Sequence, residues 1–356
     1  MTTPHSPEIA DRAAGCIVGA FIGDALGVGC HWYYDLDEQR ADYGPWIDGY
    51  TTPKPGRYHD GLSAGDLSQT GLIMKLLLRS IAENGGYDED AFTRVLDGEL
   101  LPALNGEAKA GPGGFTNHSI RQVWKNRRED GKPWREAAGN ADTSEAAERI
   151  SILAAVYAND PGQLAQLART NTELAQNDSL VVQHCVAFAL LLAALIRGEA
   201  FDDSISQKLM KTVRSGEVPF VAKTSIAAAG IKTPPLGFAS PDALLLPSWI
   251  AETANDPDIQ IEPAWKVAIV YGQSCAINFV LPAAYYLAAQ FPADFESAVL
   301  HAINGGGQNM SRACLTGALV GAQAGLSAIP RRFIDGLTDG EEIVALAKNS
   351  VASSCS

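Results

Sequence analysis

The sequence predicts an all-α domain built from many helices. Apolar residues recur at helical spacing in one segment after another, whereas the alternation typical of a β-strand is scarce. Much of the Gly and Pro content falls in three other stretches, residues 43–65, 105–115 and 216–263. We therefore predict a single domain over residues 8–350, in which these stretches are long loops and residues 216–263 form a long loop insertion.

The predicted helices of the N-terminal half each carry their own signal. Residues 10–26 are apolar and rich in Ala and Gly, so a neighbouring helix can approach them closely. Residues 69–84 have apolar residues at helical spacing and are followed by a Gly-Gly pair, which is a C-cap signal. Residues 90–104 are amphipathic, and residues 116–126 form a short helix.

The C-terminal half continues in the same way. Residues 143–157 begin with a Thr-Ser cap and carry apolar residues at helical spacing. Residues 180–197 are apolar nearly all round, which predicts a central helix. The other predicted helices are residues 160–176, residues 265–291 with interruptions at Gly272 and Pro282, residues 294–303 and residues 312–326.

The charge of the chain bears on its partners. The formal net charge is −14, and an acidic surface repels phosphate backbones, which argues against nucleic acid. No apolar run is expected to reach the length of a membrane span, and the polar start lacks a signal-peptide core. We therefore expect a cytoplasmic protein that binds a small polar molecule and neither nucleic acid nor membrane. The sequence does not indicate its oligomeric state.

The first candidate site segment follows the first predicted helix. Asp24 is a candidate catalytic carboxylate, although an Asp at a helix end is typically a cap or turn residue. His31 is a candidate general base because imidazole titrates near neutral pH; the alternative is a buried histidine bonded to a backbone carbonyl. Trp32 and Tyr34 stand beside it as candidate substrate contacts, and nearby glycines let a ligand approach closely.

Two further segments open predicted helices with polar residues. Asp66, Ser68 and Gln69 precede or begin the helix at residues 69–84, where an ordinary N-cap is the alternative to a catalytic or binding role. His118 follows a Gly-rich loop and opens a short helix, and capping explains most of the polar residues around it. We take Asp66 as a candidate catalytic residue and the other three as candidate substrate contacts.

The last segment is a glycine turn at residues 305–307 followed by polar residues and a helix. Free backbone N–H groups at a helix start favour anions and polar ligands. Gln308 and Asn309 are therefore candidate substrate contacts. Arg312 is a candidate bidentate ligand for a carboxylate or phosphate, with a salt bridge to an acidic residue as the alternative.

Taken in order, these segments resemble ADP-ribosylglycohydrolases over residues 13–337. The resemblance rests on Gly19-Ala-Phe-Ile-Gly-Asp-Ala-Leu-Gly27, Gly65-Asp-Leu-Ser-Gln-Thr70, Gly113-Gly-Phe-Thr116, Thr143-Ser-Glu-Ala-Ala-Glu-Arg149, Ala302-Ile-Asn-Gly-Gly-Gly-Gln-Asn309 and Thr316-Gly-Ala-Leu-Val-Gly-Ala322. It implies a multi-helix orthogonal bundle with a cleft for two Mg²⁺ ions. In that family the ions orient ADP-ribose and a water for cleavage at the ribose C1.

The positions that resemble the family's metal ligands have changed. Gly65 and Leu67 replace a Thr and an Asp and leave Asp66 as the one carboxylate, while Gln308 and Met310 stand where two Asp are expected. Mg²⁺ needs hard oxygen ligands, generally carboxylates. We therefore expect no metal cofactor. The segments around His31 and Gln308 are similar, more narrowly, to the family branch that contains the jellyfish J-crystallins, which implies the fold and the cleft but not the reaction.

Three functions follow as hypotheses. The first is a metal-independent hydrolase or lyase acting on a glycosidic or related C–N or C–O bond of a small polar substrate. Asp24 and Asp66 would be its carboxylates, His31 its acid or base, and Asn309 with Arg312 its substrate clamp. The second is a catalytically silent, ligand-binding or crystallin-like protein. The third is a Mg²⁺-dependent ADP-ribosyl hydrolase that uses other ligands, for example Asp60 or Asp35.

Overall fold

The computed structural model describes residues 6–106, 117–220 and 241–353. These residues form sixteen α-helices and no β-strand, so the predicted all-α class is confirmed. The helices are α1 (Pro7–Gly29), α2 (Leu36–Tyr43), α3 (Gln69–Asn84), α4 (Glu89–Val95), α5 (His118–Trp124), α6 (Glu145–Val156), α7 (Pro161–Glu173), α8 (Ser179–Ile196), α9 (Ile205–Arg214), α10 (Pro241–Asn255), α11 (Val267–Tyr271), α12 (Ile277–Gln290), α13 (Phe295–Asn304), α14 (Asn309–Ala324), α15 (Arg331–Gly336) and α16 (Gly340–Ser353).

Helices α1 and α14 pack backbone to backbone at the centre of the fold. A Cβ atom built on Gly19 would lie 2.2 Å from the carbonyl oxygen of Gly317, and one built on Gly23 would lie 2.1 Å from that of Ala313. A Cβ on Gly27 would lie 2.3 Å from the Cα of Met310. The two helices therefore run antiparallel in close contact, and the end of α1 lies beside the start of α14. This contact confirms the close approach predicted from the small residues of α1.

Helix α8 is buried along nearly its whole length, as its apolar pattern predicts. Both α1 and α8 are long and apolar enough to span a membrane, so the prediction that no apolar run has that length is wrong. In the fold, 94% and 83% of their apolar windows are buried. This burial is typical of core helices, and the expectation of no membrane partner stays a prediction.

The insertion predicted at residues 216–263 is not a loop throughout. Its residues 241–255 form α10, which buries Leu244 and Ala251 and packs against α9 and α12. Burial of this apolar face outweighs the Pro content that suggested a loop. Pro282, predicted to interrupt a helix, lies inside α12, whereas Gly272, with φ 118°, does end α11.

Two predicted stretches fall partly outside the described residues. Residues 107–116, with the motif at residues 113–116, and residues 221–240 lie outside them. Residues 44–68 contain no α-helix, which confirms most of the first predicted loop. The extent of the domain over residues 8–350 stays a prediction.

Candidate active site

Four helices begin at the wall of one cavity of about 280 Å³. These are α3, α5, α6 and α14. The turn after α1, the loop at residues 44–68 and Cys275, just before α12, also line the cavity. The protein's own oxygen atoms cap three of the starts: Gly71 N donates to Ser68 Oγ, Ile120 N to Asn117 Oδ1 and Ala146 N to Gln176 Oε1. At α14 the side chain of the N-cap residue, Gln308, makes no capping hydrogen bond.

His31 lines this cavity and bonds to a side chain, not to a backbone carbonyl. Its Nδ1 lies 3.2 Å from Asn309 Oδ1. Asn309 Nδ2 donates to the carbonyl oxygens of Cys30 and Ile303, at 3.0 and 3.4 Å, which fixes the amide with its oxygen toward the imidazole. By this network Nδ1 carries the proton and Nε2 carries the lone pair.

Burial keeps the His31 imidazole neutral. Desolvation lowers its pKa well below the ordinary value, the nearby His59 lowers it further, and the bond to Asn309 acts in the opposite direction. The ring is 5% exposed. A neutral imidazole whose Nδ1 proton is already bonded presents a proton acceptor at Nε2, as a general base requires.

Trp32 is held in the left-handed backbone region, with φ 63°. A bulky residue is strained there, and such strain is maintained by surrounding contacts. Trp32 N donates to Gly307 O at 3.2 Å, Gly307 N donates to Tyr33 O at 2.7 Å, and Trp32 Nε1 donates to Gln308 Oε1 at 2.6 Å. The glycine turn therefore fixes the indole on the cavity wall.

The remaining predicted contacts divide between the wall and its surroundings. Ser68, Gln69, His118 and Gln308 line the cavity. The amide of Gln308 is engaged, because its Oε1 accepts from Trp32 and its Nε2 donates to Ser311 Oγ at 2.8 Å. Tyr34 is not part of the wall; its exposed ring lies 6.3 Å from that of Trp32.

Asp24 lies behind the wall and not in it. Its carboxylate accepts from Ser68 N at 2.9 Å and from Ser68 Oγ at 2.5 Å. Burial raises its pKa to about 6, and these bonds oppose the shift. Asp24 therefore anchors the start of α3, and it reaches the cavity only through the Ser68 hydroxyl.

Asp66 and Arg312 do not line the cavity either. Asp66 accepts from Ser63 N and from Thr338 Oγ1, each at 2.8 Å, so it ties the loop before α3 to the segment after α15. Arg312 is 1% exposed and donates to the carbonyl oxygens of Ala302 and Gly306, at 3.0 and 2.7 Å. Its guanidinium holds the glycine turn and lies outside the cavity wall, so the predicted substrate clamp has no support there. It forms no salt bridge with an acidic residue in the described ranges.

The carboxyl groups that line the cavity are those of Asp142 and Glu145, which sequence reasoning missed; Asp142 is exposed, whereas Glu145 is buried. Glu145 is 8% exposed and accepts hydrogen bonds from Thr143 and Ser119. Burial raises its pKa, and the two hydroxyl groups oppose that effect. An acidic residue in the first turn of a helix is a common partner of the helix dipole, so its spacing gave no distinct signal.

Glu148 lies one turn further along α6, fully buried. Burial, reinforced by the nearby Asp24 and Glu145, raises its pKa to about 8. Its Oε1 accepts from Ser144 Oγ at 3.1 Å, and Ser311 also bonds to the carboxyl group. Its Oε2 has no hydrogen-bond partner in residues 6–106, 117–220 and 241–353. Glu148 therefore reaches the cavity wall through Ser311.

A model of the ADP-ribosylglycohydrolase family matches residues 5–355. The chain belongs to the ADP-ribosylglycohydrolase family. A structure titled "ADP-ribosylglycohydrolase-related protein complex" shares the fold, with a TM-score of 0.63 and 20% identity, covering 98% of this chain and 100% of that one.

Two relatives match this ADP-ribosylglycohydrolase family member over nearly their whole lengths. An Archaeoglobus fulgidus protein described as uncharacterized is 25% identical over 338 residues, covering 95% of each chain. Crystallin J1A of Tripedalia cystophora is 25% identical over 368 residues, covering 96% of this chain and 97% of its own. The predicted likeness to the J-crystallins is confirmed.

The residues present do not fit the Mg²⁺ pair that the family resemblance implies. Both oxygens of Asp66 are engaged away from the cavity, Gln308 Oε1 accepts from Trp32, and Met310 offers no oxygen. The alternative ligands considered above are also engaged: Asp35 caps α2, and Asp60 accepts a hydrogen bond from Gly56 N. Within residues 6–106, 117–220 and 241–353, no group of three His, Cys, Asp or Glu side chains is placed to hold a metal ion.

Proposed function

We propose that this protein is a metal-independent hydrolase that cleaves a glycosidic or related C–N or C–O bond of a small polar substrate. One observation carries the proposal: His31, with its lone pair directed by Asn309, shares a small cavity with the carboxyl group of Glu145. A base and an acid that line one cavity can flank a scissile bond, so that one activates a water molecule and the other protonates the leaving group. Family membership supports the reaction class.

The roles follow from the protonation states. His31 Nε2 takes a proton from a water molecule, whose oxygen bonds to the carbon that loses the leaving group. Glu145 gives its proton to the leaving oxygen or nitrogen, and its raised pKa favours the protonated acid at a higher pH than that of an ordinary glutamate. The two residues return to their starting states when the proton passes from His31 to Glu145.

The size of the cavity supports a small substrate. About 280 Å³ is at the lower end of the ligand pockets of roughly 300–1,000 Å³ found in proteins. A ligand as large as a dinucleotide would leave much of its surface outside the described wall. Independence from metal is supported by Asp66 and Gln308, because the oxygens of both side chains already accept hydrogen bonds within the protein.

Hydrolysis of 4-nitrophenyl glycosides and of nucleosides tests the proposal. We expect turnover of at least one probe in the presence of EDTA. His31→Asn and Glu145→Gln should each lower kcat by about 10²–10⁴-fold, the usual contribution of a general acid or base. Glu129→Gln, which changes an exposed glutamate, is the matched control and should keep full activity.

Two results would contradict the assignment. Activity that requires added Mg²⁺ would refute metal independence. Full activity in both site variants would refute the roles of His31 and Glu145.

A second candidate is a ligand-binding protein without turnover. The likeness to Crystallin J1A, together with the replaced carboxylate positions, favours it. Binding of a small ligand in the cavity, with no cleavage of any probe, would establish this candidate in place of the hydrolase.

A further inference from the structure

His59 is a buried residue with unused hydrogen-bonding groups at the cavity. It lies in the loop at residues 44–68 and is 3% exposed, and neither its Nδ1 nor its Nε2 has a hydrogen-bond partner among the residues that the structure describes. Its ring centroid lies 5.0 Å from that of His31 and 6.3 Å from that of Tyr58. Burial lowers its pKa to about 4, so at neutral pH the ring offers one donor and one acceptor.

Gln69 adds a second unused donor whose direction is fixed. Its Oε1 accepts from Asn117 N at 2.8 Å, which orients the amide, and its buried Nε2 has no partner within the described part of the chain. Both Gln69 and His59 line the cavity. Buried polar groups are nearly always hydrogen-bonded in native proteins, so groups left unpaired on a cavity wall indicate a bound polar molecule.

These unused groups specify the chemistry of the ligand. Gln69 Nε2 and one nitrogen of His59 need an acceptor, while the other nitrogen of His59 needs a donor. A hydroxyl group is both donor and acceptor and meets either need. A carboxylate or phosphate oxygen only accepts, and would leave one nitrogen of His59 unpaired.

The charges around the cavity also oppose a phosphate. Among the described residues of the wall, Arg121 is the only Lys or Arg, and the carboxyl groups of Asp142 and Glu145 face the same space. The wall also contains three histidines, His31, His59 and His118. The uncapped start of α14 favours an anion, but its first turn already contacts the carboxyl group of Glu148 through Ser311.

We propose that the cavity binds a neutral, unphosphorylated sugar of monosaccharide size, whose hydroxyl groups pair with His59 and Gln69. The rings of Trp32 and Tyr58, with centroids 3.9 Å apart, supply the apolar wall for its C–H face. This substrate class rests on the proposed hydrolase function. A cavity of this kind differs from a site that binds a sugar diphosphate.

Calorimetry with neutral pentoses, hexoses and their methyl glycosides, each beside its phosphate ester, tests the inference. At least one neutral sugar should bind, and its phosphate ester should bind at least tenfold more weakly. His59→Phe removes both nitrogens and keeps a ring, and Gln69→Glu keeps the acceptor for Asn117 and removes the donor. Each should weaken binding roughly tenfold or more.

A matched control separates binding from structure. His301 also has an unpaired ring nitrogen but stacks on Phe291 outside the cavity, so His301→Phe should leave binding unchanged. His59→Phe should keep or raise the melting temperature, because an apolar ring replaces unpaired polar atoms. If His59→Phe does not fold, the sugar affinity of Gln69→Glu still tests the inference.

Equal or tighter binding of a phosphate ester, unchanged binding in both variants, or no binding of any neutral sugar would overturn the inference. Different results would refute this ligand class and the proposed hydrolase function. Neutral sugar binding without cleavage of any glycoside would refute the hydrolase and leave the ligand class standing. Cleavage of phosphorylated substrates alone would refute the ligand class and leave the hydrolase standing.

Discussion

Replacing Glu148 with Gln should make the protein less sensitive to alkaline pH. Glu148 is fully buried on α6, and burial together with Asp24 and Glu145 raises the pKa of its carboxyl group to about 8. The folded protein therefore holds this proton at pH values where the unfolded chain has released it. Gln has nearly the same shape and no proton to release, so the substitution isolates this one titration.

The sign and size follow from proton linkage. Between the usual value of 4.5 and the folded value of about 8, the folded state binds one proton more than the unfolded state. Its contribution to stability is complete below pH 4.5 and falls by about 1.4 kcal/mol for each pH unit up to pH 8. From pH 6 to pH 8 the wild-type protein should therefore lose roughly 2–3 kcal/mol relative to Glu148→Gln.

Other titrating groups affect both proteins in the same way. Asp24, with a pKa raised to about 6, acts in the same direction but mainly below pH 6. His59, with a pKa lowered to about 4, makes stability rise with pH up to its unfolded value of 6.5. Both effects largely cancel in the difference between wild type and variant, which is the quantity to compare.

Urea unfolding at pH 6, 7 and 8, followed by circular dichroism, measures this difference. The unfolding free energy of Glu148→Gln should exceed that of the wild type increasingly as pH rises. Glu129→Gln, at an exposed position, should run parallel to the wild type. A constant difference between wild type and Glu148→Gln across these pH values would refute the raised pKa and the buried neutral carboxyl group.

Two further predictions concern packing. Gly19→Ala places a methyl group against the carbonyl of Gly317 and should lower the free energy of unfolding by about 1–3 kcal/mol or more. Gly98→Ala places its methyl group in open space and should leave stability unchanged or raise it. Thermal melts of the two variants measure the difference. Arg312→Lys removes the paired guanidinium hydrogen bonds to the carbonyl oxygens of Ala302 and Gly306. It should lower the free energy of unfolding, measured in urea, by about 1.5–3 kcal/mol. If Arg312→Lys instead lost sugar binding at full stability, Arg312 would be a ligand contact.

Much of the fold was predictable because its signals are local. Helical spacing predicted the core helices, and the small residues of α1 predicted a close neighbour, which the structure shows to be α14. The prediction missed α10 because neighbouring Pro residues resemble a loop, although an apolar face is buried there. It also missed α16, whose Ile343, Ala347 and Val351 do follow helical spacing, so that error lies in the interpretation of the pattern.

The sequence predicted the candidate site only where the packing of α1 against α14 brings two motif segments together. The antiparallel packing of α1 and α14 brings His31 beside Asn309, as the two motif segments suggested. The role of Glu145 could not be derived, because a first-turn glutamate is ordinary until packing buries it. His59 lies in a loop without periodicity, and its unpaired state depends wholly on tertiary neighbours.

The unpaired atoms connect stability to function in this protein. His59, Gln69 Nε2 and Glu148 Oε2 are buried without a partner among the described residues, and each such group typically costs about 1–3 kcal/mol of folding free energy. Two of these residues line the cavity, and the third contacts its wall through Ser311. Apolar side chains at these positions would give a more stable scaffold, so the polar ones are best explained by what enters the cavity. A ligand that pairs with them regains that free energy on binding.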